Sequence, residues 1–228
     1  MERHFDEQLA DLKHRLVRMS ALAEHMINAA VRVLVARDAS AGEPVPGHED
    51  EVNRMQIDID EFCLQLIALH QPTAGDLRFI LAATKSASDI ERLADQAVNV
   101  LKKAERLLTS PPLAETARIE EMAALASRML SDSLHSFVNR DVGRAREVLL
   151  RDDQLDEMKS VVTDELIARM GAEPSAVVSA VDLLLVARNL ERIGDHATNI
   201  AENTIFAVEG RDVRHHAEDR PEPPPPAP

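Results

Sequence analysis

Tryptophan and tyrosine are absent from this 228-residue chain, and phenylalanine occurs only five times. Sandwiches and barrels draw their strands from aromatic and β-branched residues, so an all-β architecture is not expected. A lone cysteine, Cys63, excludes any internal disulfide. Its place in an apolar helical run marks it as a buried, inert thiol rather than a nucleophile. No run approaches the ~20 apolar residues of a membrane span. The N-terminal Met1-Glu-Arg-His-Phe-Asp-Glu lacks the apolar stretch of a secretory signal. No membrane insertion is therefore expected, and the cytoplasm is the expected compartment. Positive charge is also short: 26 Lys and Arg against 40 Asp and Glu leave a net charge of −14. That balance argues against nucleic acid and anionic membranes as partners and suits cations or a basic protein face. The usual catalytic signatures are missing as well. There is no GxxxxGK[ST] loop, no GxGxxG, no HExxH and no nucleophile elbow. No Glu has a His three residues later, as a di-iron carboxylate bundle would require.

What the chain does have is Ala, Leu, Glu, Arg and Met, all helix formers. Leu9, Leu12, Leu16, Met19, Ala23, Met26 and Ala30 step by threes and fours and predict one helix from about Arg3 to Arg37. Gly42, Pro44, Pro46 and Gly47 predict a non-helical loop. A second helix is expected over about Glu49–Leu69, with Val52, Met55, Ile59, Leu66 and Leu69 inward, and a third from Asp76 to about Leu108. Thr109-Ser-Pro111-Pro112 is a stop signal and marks a boundary between halves.

The second half then starts over. Met19, Met26 and Met55 recur 103 residues later as Met122, Met129 and Met158, and Arg37-Asp38 recurs as Arg140-Asp141. These methionines fall at helical spacing and are expected core filler. Past the second helix the offset becomes 100, with the loss falling in the loop where His70–Asp76 faces the shorter Gly171–Pro174. Constant offsets with slippage confined to a loop indicate a duplicated three-helix unit. The expected fold is all-α: two tandem antiparallel three-helix bundles over residues 3–109 and 113–209, each a rod on the order of 45 Å long. Residues 210–228 are too polar and proline-rich to pack and are expected to form a disordered tail.

The repeat carries chemistry. Glu91, Asp95 and Asn99 are spaced by four and recur as Glu191, Asp195 and Asn199. On a helix each set forms a single oxygen-bearing stripe opposite the apolar face, aimed at water or at a ligand. The second helix of each unit adds a further pair: Asp152 and Asp156, matched by Glu49 and Asn53. Clustered carboxylates and side-chain amides are the ligand set of a hard metal ion: iron first, otherwise manganese, magnesium or calcium, with zinc more often recruiting His or Cys. A solvated helix face reads the same way, and Arg188 and Arg192 lie near enough to pair with Glu191 and Asp195. Recurrence of the stripe with Asn in the same third place favours a ligand. Both readings stand at this point. His196 corresponds to Gln96, so it reads as an exposed helix histidine, and His215-His216 as incidental.

Leu185-Val-Ala-Arg-Asn-Leu-Glu191-Arg-Ile-Gly-Asp195-His-Ala-Thr-Asn199-Ile-Ala-Glu202 closely resembles the signature of the PhoU family. Asp89-Ile-Glu91-Arg-Leu-Ala-Asp95-Gln-Ala-Val-Asn99 is similar to that family's other signature. His4-Phe-Asp-Glu-Gln-Leu9 and Gln71-Pro-Thr-Ala-Gly-Asp-Leu-Arg78 also fit its pattern, so the resemblance covers about residues 4–209. It implies a cytoplasmic, dimer-forming, non-enzymatic regulator of phosphate uptake. Such a regulator links the ATPase subunit of the phosphate ABC transporter to the phosphate-sensing histidine kinase and damps starvation signalling when phosphate is plentiful. It also implies metal clusters at the E(D)xxxD motifs. By position the ligands here would be Glu91, Asp95, Glu191, Asp195, Asp152 and Asp156, then Glu49 and Asn53, with Asn99 and Asn199 one turn on. Asn53 stands where an Asp would be the stronger ligand, and the loop at residues 42–47 departs from the pattern. The rival expectations are a metal-dependent phosphate-ester hydrolase and a purely structural bundle.

Overall fold

The computed structural model describes residues 2–213; the proline-rich segment beyond, including His215-His216, lies outside the described residues. Six α-helices account for nearly all of them: α1 (Glu2–Ala36), α2 (Val45–His70), α3 (Ala74–Leu107), α4 (Thr116–Asn139), α5 (Val142–Ala172) and α6 (Val177–Glu209). Short 3-10 turns at Ala39–Gly42 and Pro174–Ala176 join α1 to α2 and α5 to α6.

The duplication extends to the backbone. Arg37 and Arg140 both end their helices in the left-handed region, at φ 55. The next residue in each copy, Asp38 or Asp141, takes extended backbone, and its carboxylate accepts from the Ser40 or Arg144 amide. Such a carboxylate satisfies one of the orphan amides at a helix start and is worth about 1 kcal/mol. Asp141→Ala should therefore cost α5 about 1 kcal/mol in denaturant unfolding, with the midpoint moved and the slope unchanged. Arg37 also reaches across to the next connection. Its guanidinium donates to the carbonyls of Leu108 (2.6 Å) and Ser110 (2.7 Å), tying down the linker that follows α3.

The region expected as a loop at residues 42–47 is instead structured. Asp38 caps a 3-10 turn in which Gly42 is buried, and α2 begins at Val45 with Pro46 and Gly47 in its first turn. Proline is tolerated there because the first-turn amides have no intrahelical acceptor in any case. A Cβ on Gly42 would come within 3.1 Å of Val33 Cγ2 and closer still to Leu101, so this glycine serves a close approach rather than a bend. Leu69, expected inward, is 72% exposed. It sits in the last turn of α2, beyond the reach of the core.

α3 and α6 make the most extensive packing in the molecule, with α1 and α4 beside them, while α2 and α5 lie outside, each against the other two helices of its own unit. The halves are thus two bundles sharing one continuous core. Met19, Met26, Met122 and Met129 are fully buried in it, and Cys63 likewise. Burial, helped by Asp60, pushes the Cys63 thiol up to about 12, so it stays protonated and inert. Phe79 of α3 stacks on Phe137 of α4 across the halves, with ring centroids 5.0 Å apart. α1 includes the one helical stretch among the described residues long and apolar enough to cross a membrane. Its apolar residues Leu12, Leu16, Met19, Ala23 and Met26 are spent on this core, each with no exposed surface.

Candidate functional site

The antiparallel crossing of α3 and α6 places the two acidic stripes. Ser86 is paired with Asn203, Asp89 with His196 and Asn199, and Lys103 with Asp182, so numbers rise along one helix as they fall along the other. α6 is held there by Asp89, whose carboxylate Oδ1 accepts from the Asn199 amide at 3.0 Å and meets His196 Nδ1 at 3.1 Å. His196 is only 13% exposed, so the expectation of a solvent-facing histidine is corrected: it is a clasp between the copies. Its first-copy counterpart Gln96 is buried too. The sequence does hold a clue, because a His and a Gln at matched positions can both serve as hydrogen-bonding groups in a helix–helix seam.

From this crossing, α6 turns its Glu191–Asp195 stripe towards α5. There it meets Asp152 and Asp156, and the four carboxylates act on one another. Desolvation, then the charges of Asp195, Asp156, Asp153 and Glu191, push Asp152 up to about 6. Asp195 is raised by desolvation and by Glu191 and Asp156, with His196 and Arg192 pulling the other way. The approach depends on Gly194, buried between Glu191 and Asp195: a Cβ there would overlap Leu155 and stand 3.6 Å from Asp152 Oδ1. Neither Arg188 nor Arg192 forms the expected ion pair. The cation that does is Lys159 of α5, 3.3 Å from Glu191 Oε1.

The first copy is different. Glu91 is raised by desolvation and by Asp95, with Arg92 and His196 opposing, and none of these charges comes from α2. Glu49 and Asn53 lie half-buried near the start of α2, and Asp95 and Asn99 are exposed on α3. Asn199 has its amide engaged on Asp89. Asp152, Asp156, Glu191 and Asp195 thus lie within electrostatic range of one another, and separately Glu91 lies within range of Asp95.

Among the described residues no three His, Cys, Asp or Glu side chains are already arranged around a common point as a metal ion would have them. The donor chemistry of the α5–α6 set nevertheless fits a hard cation: carboxylate oxygens only, close enough to raise one another, with Lys159 the one paired cation. Asp152, Asp156, Glu191 and Asp195 are the residues that would hold it. The first-copy set fits less well, since α2 adds no charge to Glu91 and Asp95.

The family model for the PhoU domain matches this chain twice, over residues 16–104 and 119–204. The chain belongs to the PhoU family. A Pseudomonas aeruginosa protein named as a phosphate-specific transport system accessory protein PhoU homolog is 33% identical over 219 residues, covering 94% of this chain and 89% of its own length. A Caulobacter vibrioides PhoU homolog of the same name is 36% identical over 210 residues, covering 92% and 91%. The crystal structure of PhoU from Pseudomonas aeruginosa superposes with a TM-score of 0.87 at 32% identity, over 91% of this chain and all of that one. The phosphate transport system regulatory protein PhoU from Streptococcus pneumoniae gives 0.84 at 26% identity, over 92% and 99%. PhoU proteins are regulatory accessory proteins, not enzymes, and the all-α double bundle is their fold.

Proposed function

We propose that this chain is a cytoplasmic regulator of phosphate uptake. As a homodimer it links the ATPase subunit of the phosphate ABC transporter to the phosphate-sensing histidine kinase and restrains starvation signalling when phosphate is plentiful. Relatives that match over nearly their whole length are named accessory proteins of phosphate-specific transport, which supports the general role. The observation that supports the finer reading is the α5–α6 acidic face, where Asp152, Asp156 and Asp195 have no ion-pair partner among the described residues. A helical protein gains nothing in stability by crowding like charges, so such a face is kept for something it binds. The proposed cargo is a metal ion, iron first and otherwise zinc, manganese, magnesium or calcium, held by these carboxylates and shaping the surface offered to the partners.

The test is capture of the purified transporter ATPase subunit and of the kinase's cytoplasmic portion on the immobilised chain. Wild type should retain both, and Asp152→Ala/Asp195→Ala should lose at least one while keeping its helical circular dichroism. Failure of the wild type to retain either partner would refute the adaptor role.

A further inference from the structure

Beside the acidic cluster, and sharing Glu191 and Asp195 with it, α5 and α6 line an open groove of about 580 Å³. Its polar lining is Lys159, Thr163, Arg188 and Arg192 with the carboxylates of Glu191 and Asp195. Of the three cations only Lys159 is ion-paired. Arg188 makes no hydrogen bond or ion pair with the described residues, and Arg192 acts on Asp195 only as a neighbouring charge. Both arginines are exposed, so their guanidinium groups are open to an anion that enters the groove.

The first copy shows that this is not a by-product of the fold. At the matching positions Lys159 is Gln56, Thr163 is Asp60 and Arg188 is Ser88. Lys85, which matches Leu185, lies over the Phe206 ring at 5.5 Å. The counterpart thus loses two cations, gains one at Lys85 that sits on an aromatic ring, and gains a carboxylate at Asp60.

We infer that the α5–α6 groove binds a phosphate group, with Arg188, Arg192 and Lys159 donating to its oxygens and Glu191 or Asp195 accepting a hydrogen bond from its P–OH. Guanidinium groups suit the oxyanion because they donate in a planar fork. The carboxylates select among oxyanions: hydrogen phosphate carries a proton to donate, whereas sulfate at neutral pH has none and would meet only repulsion. Thr163 adds to this bias. Its hydroxyl donates to the Lys159 carbonyl at 2.8 Å, leaving its oxygen free only to accept. The inference rests on the proposed regulatory role for its meaning, since a phosphate site on the partner-facing surface would let the ligand report supply directly. The binding itself stands without that role.

The experiment is calorimetric titration of the full-length, EDTA-treated protein with inorganic phosphate, sulfate and an adenosine nucleotide. One phosphate per chain is expected, at least tenfold tighter than sulfate. Arg188→Gln should weaken it tenfold or more. Arg118→Gln, whose partner Glu165 is on the α4–α5 side, should leave it unchanged. A nucleotide that binds while inorganic phosphate does not would identify the source of the same phosphate group and uphold the site, provided Arg188→Gln abolishes it. Equal affinity for sulfate, two sites per chain, indifference to Arg188→Gln, or binding only after metal is added back would each overturn the inference. Phosphate binding without partner capture would sink the adaptor role alone, and capture without phosphate binding would sink this site alone.

Discussion

Gly194→Val should destabilise the protein by about 3 kcal/mol, because it overpacks a closed interface. In a chain of this length that is a fall in melting temperature of roughly 6–12 °C. The site allows little relief. Leu155, which the new side chain would strike, is fully buried, and Met129 Cε would lie 3.5 Å from even the first added carbon. The first copy solves the same contact differently. There Ala94 replaces Gly194 and Val52 replaces Leu155, both buried, so a carbon gained on the third helix is given up on the second. Gly194→Ala alone should come out near neutral or cost up to ~1 kcal/mol, overlap being offset by the better helix propensity of alanine. Gly194→Ala/Leu155→Val imports the first copy's solution and should exceed the additive expectation by about 1 kcal/mol. Denaturant unfolding of wild type, Gly194→Ala, Leu155→Val and the double variant measures this directly. Strict additivity would mean that the two interfaces are not packed alike.

That compensation is a good measure of what a sequence makes legible. Periodicity and constant offsets are enough for six helices and their doubling, because each helix buries one stripe and the stripe is written in the spacing. Met19 and Met122 sit in the core for that reason. The turn after α1 differs from its expectation because glycine and proline weigh as breakers there. Gly42 in fact admits Leu101 and Val33, and Pro46 falls in the first helical turn where its missing amide is harmless. Stripe chemistry is also visible in the spacing, but its environment is not. Whether Glu191 faces arginine, water or Asp152 depends on which helix lies across from it, and spacing along one helix says nothing of that. Nothing along α5 alone therefore singles out Lys159, and His196 reads as solvent-facing although it meets Asp89 across the crossing.

The second large effect concerns the acidic face itself. In EDTA near pH 7.5, Asp152→Asn should make the protein more stable, not less. Asp152 titrates at about 6 in the folded chain against 3.8 as a free side chain, so the folded state disfavours its charged form. A raised carboxylate penalises folding fully above its folded value, and the penalty is relieved as pH falls through about 6 towards 3.8. Wild-type stability should therefore gain relative to Asp152→Asn on acidification from pH 7.5 to about 5. Glu91, also raised but not by Asp152, remains in both proteins and cancels from the difference, while relief of the Asp152–Asp195 repulsion acts in the same direction as the main effect. A two-unit shift corresponds to about 3 kcal/mol. Asp152 keeps part of its surface in water, so screening brings the expected gain to roughly 1–2 kcal/mol. Metal affinity should move the other way. An amide in place of a carboxylate donor weakens a hard cation's hold by ~10-fold or more, read by titration with ferric iron or manganese. The opposed signs set a binding face apart from a structural one. If Asp152→Asn lowered stability in EDTA, the carboxylate would have to be holding the bundle together, and the case for a face kept charged for a ligand would be lost.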